Sequence, residues 1–140
     1  MIIEIRPVRK EDLEICEKLV AQPEAIAFNG QFVSKGWLST LKDDGISYVI
    51  KSDDKIVGCT FGEKLKMNGY LLWLIAIDPE YKNMGFGTKL MECVETECKK
   101  KGIDWIILYS TTESKSNCYF YTKLGYINKS GSFWEFGKKL

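Results

Sequence analysis

Residues 73–88 constrain the fold more than any other part of the chain. The first five of them, 73–77, form a continuous apolar run, which is typical of a strand covered on both faces. Asp78-Pro79 ends that strand, because proline cannot donate to a sheet ladder and restricts the residue before it. Gly85 and Gly87 then open a long amphipathic stretch, so the N–H groups of a helix start are left without side-chain cover. Such groups predict an anion site, since helix N-termini bind phosphates.

Upstream, periodicity predicts a strand, two helices and a loop. Residues 2–6 alternate apolar and polar positions as a strand does, and apolar spacing over 12–22 predicts a helix. Residues 24–33 lack a clear period and are interpreted as a loop. Ser34 is a suitable N-cap for a short helix over 35–41.

Two predicted strands precede the strand of the central segment. Residues 46–51 and 55–66 alternate, and Asn68-Gly69 predicts a hairpin that joins the second of these strands to an antiparallel strand over 70–77.

The C-terminal part predicts a parallel strand, a last helix and two closing strands. A helix over 85–101 ends at Gly102, and the apolar run 103–109 is expected to lie parallel to strand 70–77, with the helix as crossover. The remaining predicted elements are a helix that ends at Leu124 and strands over 126–128 and 133–137. The 140 residues therefore predict one domain with an α/β (α+β) mixed sheet and helices on both faces.

The composition excludes several classes of chemistry. There is no histidine, which excludes Ser-His-Asp and Cys-His nucleophiles and most zinc enzymes. Five cysteines without a CxxC pair predict reduced, mostly buried thiols of a cytoplasmic protein and no metal. A net charge of +1 predicts no nucleic-acid or membrane-surface partner. We find no apolar run of ~20 residues and no signal-peptide pattern at the N-terminus.

Two common phosphate motifs do not fit the glycines. A P-loop needs Gly-Lys-Ser/Thr after an upstream glycine, but here Thr88 stands between Gly87 and Lys89. The dinucleotide fingerprint needs a third glycine where Leu90 stands.

Two segments carry a resemblance to a known family. Residues 75–91 and 120–126 resemble the acetyl-CoA signature and the Tyr-x-x-Leu-Gly-Tyr/Phe ending of the GNAT superfamily of N-acetyltransferases. Ile5-Arg6-Pro7, Asp12 and the order of elements also fit, so the similarity covers nearly the whole chain and implies a GNAT-like fold.

The resemblance implies an acetyl-CoA site. Pantetheine would pair with the strand backbone near Ile75 and Ile77, and pyrophosphate would bind the N–H groups of 83–88. Lys82 stands where relatives usually show Gln or Arg, and Ser114 stands where many show Asn. The residues so placed at the coenzyme are Ile75, Ala76, Ile77, Lys82, Asn83, Met84, Gly85, Phe86, Gly87, Thr88, Ser114, Asn117 and Tyr121.

The resemblance also implies catalytic roles. Tyr121 would protonate the thiolate leaving group, and the backbone N–H of Ile75 would stabilise the oxyanion. Glu63 is one candidate base; Asp78, Glu24 and a water chain are alternatives.

The acceptor is expected to be an amine of a small molecule or a protein, contacted by Phe28, Phe32 and Trp37. The chain is expected to be a monomer or a homodimer. The alternatives are an acyl-CoA-binding sensor without turnover and a module for another phosphate ligand.

Overall fold

The computed structural model describes residues 1–21, 33–110, 115–128 and 135–140, apart from the side chains of Lys115 and Glu135. The strands in these ranges are β1 (Ile3–Pro7), β2 (Tyr48–Ser52), β3 (Lys55–Leu65), β4 (Gly69–Ile77), β5 (Trp105–Tyr109), β6 (Ile127–Asn128) and β7 (Glu135–Lys139). The helices are α1 (Leu13–Val20), α2 (Lys35–Lys42), α3 (Phe86–Lys100) and α4 (Lys115–Lys123). Glu24, Phe28, Phe32 and Ser114, which the sequence places at the site, lie outside the described residues.

All seven strands form one sheet in the order β1-β2-β3-β4-β5-β7-β6. β4 and β5 are parallel and are joined through α3, whereas every other neighbouring pair is antiparallel. The predicted mixed sheet and the β4-α3-β5 crossover are therefore confirmed.

Each face of the sheet has its own core. α1 and α2 cover one face over β2, β3 and β4, with a buried cluster that includes Leu38, Phe61 and Leu74. α3 covers the other face, where a larger cluster includes Leu90, Ile106 and Phe136. Ser34 caps α2 as predicted, because its hydroxyl accepts a hydrogen bond from the N–H of Trp37 at 3.2 Å.

The β3–β4 hairpin forms as predicted, but Gly69 has a different role from the expected turn residue. Met67 and Asn68 make the turn, with φ values of +63° and +62°. Gly69 is already paired with Leu65 in the sheet. A Cβ at Gly69 would lie 2.6 Å from Cζ2 of Trp105, so the indole ring requires glycine there.

The last strand continues further than its sequence pattern suggests. The prediction ended it at Gly137, whereas β7 runs to Lys139. β7 pairs along its whole length with β5, from Tyr109 opposite Glu135 to Trp105 opposite Lys139. The ladder to β5 therefore extends the strand through two lysines that local propensity does not favour.

The cysteines follow the prediction of free thiols. Cys16, Cys59 and Cys98 are buried, and Cys93 and Cys118 are partly buried. Burial, followed by the nearby charges of Glu95 and Glu97, raises the pKa of the Cys98 thiol to about 12, so it stays protonated at neutral pH. No helix in the described part of the chain is long and apolar enough to span a membrane.

Replacing Asp12 by Asn is expected to lower the free energy of unfolding by about 3 kcal/mol at pH 7, because the Arg6 guanidinium would lose its buried partner. Two guanidinium nitrogens of Arg6 donate to the Asp12 carboxylate at 2.7 and 3.0 Å, and the Arg9 N–H donates to it at 2.7 Å. Burial opposes ionisation of Asp12, but the hydrogen bonds from Arg6 and Arg9 hold the pKa of the carboxyl below its ordinary value.

The sign of the pH dependence follows from that lowered pKa. The stabilisation is present above the ordinary aspartate pKa of ~3.9 and is lost as pH falls through the lower folded-state value. Urea unfolding should therefore show a gap between wild type and Asp12→Asn at pH 7 that narrows in acid. A gap that is constant with pH would contradict the ion pair as its cause.

Candidate active site

β4 carries a bulge at Trp73. Phe61 of β3 pairs with Leu74, and the next residue, Gly62, pairs with Leu72, so Trp73 is the extra residue. Trp73 and Leu74 consequently pack on the same side, against the α1–α2 cluster. Ile75 instead packs against the α3 cluster. The bulge therefore shifts the in-and-out pattern of the rest of β4 by one residue.

β4 also parts from β5 at this bulge. The parallel ladder pairs Leu72 with Leu108 and ends there, while β4 continues to Ile77. We call the space beyond that last pair, beside residues 73–77, the β4–β5 cleft. Successive residues of β4 turn their backbone N–H and C=O groups alternately toward β3 and toward this cleft.

The N–H of Asp78 donates to the Val57 carbonyl at 2.7 Å, so Asp78 faces β3. By alternation Ala76 faces β3 as well, whereas the backbone groups of Ile75 and Ile77 face the β4–β5 cleft.

The turn into α3 is shaped by two residues in the left-handed region. Asn83 has φ +62° and Gly85, the N-cap of α3, has φ +83°. The first helical hydrogen bond runs from the N–H of Lys89 to the Gly85 carbonyl at 3.1 Å. The N–H groups before Lys89 in that turn lack helical partners, and no acidic residue stands in the first turn. The positive end of the helix dipole can therefore accept an external anion.

Gly87 has a different reason to be glycine. A Cβ at Gly87 would lie 3.2 Å from Cζ of Phe120 on α4, whereas a Cβ at Gly85 would meet nothing within 4 Å. Gly85 is required by its backbone angle, and Gly87 by the close approach of α4. The Phe86 side chain, which the resemblance placed at the coenzyme, is buried in the core, and Lys82 and Met84 are exposed.

Tyr121 lies on α4 and is 7% exposed. Its ring packs edge-on against Phe120 and Tyr126, with centroids 5.0 and 5.9 Å away, and tilted against Phe136 at 6.1 Å. Burial raises the pKa of the Tyr121 hydroxyl well above its ordinary value. The group is therefore a proton donor, not a base, at neutral pH.

A polar cluster holds the end of α4 in place. The Tyr126 hydroxyl donates to Glu95 of α3 at 3.0 Å, and Lys138 of β7 donates to the same carboxylate at 2.9 Å. Lys138 also donates to the Leu124 carbonyl at 2.7 Å. These bonds tie α3, α4 and β7 together next to the Tyr121 ring.

On the opposite face, a carboxylate and two indoles meet at the bulge. The Trp73 Nε1–H donates to Oε1 of Glu63 at 3.0 Å. The ring of Trp37, from α2, contacts Trp73 edge-on with centroids 5.2 Å apart. All three side chains are partly exposed.

A model of the acetyltransferase (GNAT) family matches residues 9–126. The chain belongs to the GNAT acetyltransferase family. The family and the enzyme class predicted from the sequence are thereby confirmed.

Among curated relatives, tRNA(Met) cytidine acetyltransferase TmcA 2 of Saccharolobus solfataricus is 32% identical over 62 residues, which are 44% of this chain and 8% of that protein. The chain spans less than a tenth of the length of the curated relatives it matches.

Solved GNAT structures share the whole fold. PaiA N-acetyltransferase from Thermoplasma acidophilum, in complex with coenzyme A, has a TM-score of 0.85 at 24% identity, over 100% of both chains. Ard1 from Thermoplasma volcanium has a TM-score of 0.86 at 18% identity, over 100% of this chain and 99% of that one. The predicted GNAT-like fold is confirmed.

The fold places some of the residues predicted to bind the coenzyme at the β4–β5 cleft and others away from it. Ile75, Ile77 and the turn 82–88 adjoin the β4–β5 cleft, and Phe120, next to Tyr121, contacts Gly87. Ala76 is turned toward β3, and Asn117 lies on α4. The family resemblance implies a bulge in this strand, but sequence reasoning did not place it at Trp73, which has no local signal beyond one large ring within an apolar run.

Proposed function

We propose that this chain is an N-acetyltransferase that moves an acetyl group directly from acetyl-CoA to a primary amine of a small molecule or a protein. The observation that carries the proposal is the end of the β4–β5 ladder at Leu72 and Leu108, beside the bulge. It leaves the backbone of Ile75 and Ile77 available in a cleft next to the N-terminus of α3.

The residues at the cleft match the chemistry of coenzyme A. Its pantetheine arm carries amides, which suit the strand-like backbone of Ile75 and Ile77 as pairing partners. Its pyrophosphate is an anion, which suits the N–H groups of 83–88 and the uncompensated helix dipole. Lys82 adds a positive charge at the same turn but lacks the planar fork of arginine.

The chain's residues supply three functions for transfer. The amine nitrogen bonds to the thioester carbonyl carbon as the carbon–sulfur bond breaks, and the Ile75 N–H donates to the carbonyl oxygen as negative charge develops. Tyr121 gives its proton to the departing thiolate. Glu63 takes the proton that the amine loses, with its carboxylate held by the Trp73 indole.

Deprotonating the acceptor is a large part of the barrier. An alkylammonium has a pKa of ~10.4, so forming the neutral amine at pH 7 costs roughly 4–5 kcal/mol. The Glu63 carboxylate does not lower this cost, because the nitrogen needs its lone pair before it attacks; it accepts the second proton, which the nitrogen releases as the bond forms. The transfer rate should accordingly rise from pH 7 to pH 9.

Two measurements test the proposal. Titration calorimetry should detect binding of acetyl-CoA and CoA, with ATP as a weaker competitor, and thiol release should increase with at least one member of an amine panel. If neither acetyl-CoA nor CoA binds, or no amine increases thiol release, the proposal fails.

The second candidate function is an acyl-CoA sensor without turnover. It is favoured by the composition of β4, which has no carboxylate from Gly69 to Ile77. A sensor would bind acetyl-CoA but release no thiol with any amine.

A further inference from the structure

Next to the bulge, the strand register aligns residues of five strands on the side of the sheet that carries Glu63. Register places Glu63 beside Leu71, Leu71 beside Ile107, Ile107 beside Gly137, and Gly137 beside Ile127. Laterally paired residues point to the same face of a sheet. We call these five residues the cross-strand row.

Toward β6, the side of the sheet that carries the cross-strand row is less covered than the opposite face of the same strands. On β5, Ile106 and Leu108 are 0% and 2% exposed beneath the α3 side. On the side of the row, Ile127 is 65% exposed, Ile107 is partly exposed, and Tyr109, next to the row, is 53% exposed. Leu71 is 9% exposed and Gly137 is buried. Among the described residues, α1 and α2 pack on β3 and β4 and leave the part of this face toward β6 open.

The row has a charged end and an apolar end. At the β3 end stand the Glu63 carboxylate and the indoles of Trp37 and Trp73. Of the two Glu63 carboxylate oxygens, Oε1 accepts from Trp73, and Oε2 has no hydrogen-bond partner among the described residues. A carboxylate with indole rings nearby suits an ammonium group, which can pair with the carboxylate and contact a ring. Toward β6, the row and its neighbour Tyr109 are apolar apart from glycine.

The charged end is continuous with the β4–β5 cleft. Trp73, which holds Glu63, is the bulge residue at which β4 parts from β5. An ammonium at Glu63 would thus lie next to the place where the proposed function puts the acetyl group. The apolar end extends away across four strand spacings, or about 19 Å.

That length favours one class of acceptor. At ~3.3 Å per residue, about 19 Å matches five or six residues of extended polypeptide, whereas a small amine would cover only the charged end. We propose that the acceptor is the N-terminal amine of a polypeptide whose first residues are apolar and lie along the cross-strand row. This inference rests on the proposed function and adds the substrate class to it.

Acetylation of matched hexapeptides tests the proposal. Peptides with a free N-terminus and Leu, Ile or Phe at positions two to five should have a kcat/KM at least tenfold above the same peptides with Ser and Asp there. Tyr109→Thr and Ile127→Thr should each lower kcat/KM for the apolar peptides about fivefold and leave a small amine acceptor unaffected. Glu63→Gln should lower kcat/KM for both acceptor types.

Ile2→Thr is the matched control. It replaces isoleucine by threonine at a residue that is 77% exposed near the other edge of the sheet. It should leave kcat/KM unchanged for both acceptor types. Equal use of apolar and polar peptides, or transfer to small amines such as spermidine without transfer to peptides, would overturn the peptide assignment and leave the proposed function standing. Thiol release with none of the acceptors would overturn both.

Discussion

Tyr121→Phe is expected to lower kcat for acetyl transfer about 100-fold while the dissociation constant of acetyl-CoA stays within about twofold. General acid catalysis contributes roughly 10²–10⁴-fold, and the lower end applies here because a thiolate is already a fair leaving group. The substitution keeps the ring that packs on Phe120, Tyr126 and Phe136, so the fold should be unaffected. Stopped-flow or steady-state thiol release, paired with calorimetry, measures the two quantities separately.

The pH profile supplies an independent check on the role of Tyr121. Because burial raises the pKa of its hydroxyl above the ordinary value of ~10, the acid stays protonated across the range in which the amine loses its proton. With an alkylamine acceptor the wild-type rate should therefore keep rising to about pH 9.5, and with an N-terminal amine, whose pKa is ~8, it should level off without declining. A decline of the wild-type rate between pH 8 and 9.5 would contradict the acid role.

Tyr119→Phe is the matched control for this experiment. Tyr119 lies on the same helix two residues earlier, is 68% exposed, and loses the same hydroxyl. It should retain full activity. Equal loss in both variants would show a general effect on α4, and no loss in Tyr121→Phe would remove Tyr121 from the mechanism.

Thr88→Glu is expected to weaken acetyl-CoA binding at least tenfold while slightly stabilising the fold. Thr88 is the third residue of α3, where a glutamate improves helix capping and complements the dipole by about 0.5 kcal/mol. The same carboxylate would occupy the N–H groups proposed for the pyrophosphate and repel the phosphate charge. A tenfold loss of affinity corresponds to about 1.4 kcal/mol, which repulsion between two negative charges at one helix end is large enough to supply.

Thr96→Glu makes the same substitution two turns later in α3, at an exposed position. It should leave both acetyl-CoA affinity and the unfolding temperature nearly unchanged. Calorimetry and thermal unfolding of wild type, Thr88→Glu and Thr96→Glu measure these two quantities. Equal affinity in Thr88→Glu and wild type would exclude the start of α3 as the anion site.

The two variants examine different halves of the proposed reaction. Thr88→Glu tests whether the start of α3 binds the coenzyme, and Tyr121→Phe tests whether a bound coenzyme is turned over. A sensor without activity would respond to Thr88→Glu and would have no rate for Tyr121→Phe to lower.

Much of the fold could be predicted because its determinants are local. The apolar run of β4, the proline after Asp78 and the glycines at α3 act within a few residues of themselves, and the structure has the strand, the turn and the helix there. The absence of histidine likewise restricts acid–base chemistry to carboxylates, tyrosines, lysines and cysteines, whatever fold the chain adopts.

Other features depend on partners that are distant in the chain. Gly69 carries a hairpin signal, yet the ring of Trp105, which is remote in sequence, is what requires glycine in the strand. β7 extends through two lysines because β5 offers a ladder along its whole length. Neither the residue patterns nor their spacing contain that information.

By itself, therefore, the sequence determined the order of elements, the acid-free start of α3 with its two glycines, and the family. The tertiary structure alone decided that Trp73 is the bulge and that Ile75 and not Ala76 turns its backbone toward the β4–β5 cleft. It also decided that Glu63 accepts a hydrogen bond from the Trp73 indole, which the Trp37 ring contacts in turn. The physical reason is that a register shift in one strand pair moves every later side chain to the other face, and register is set by the whole sheet.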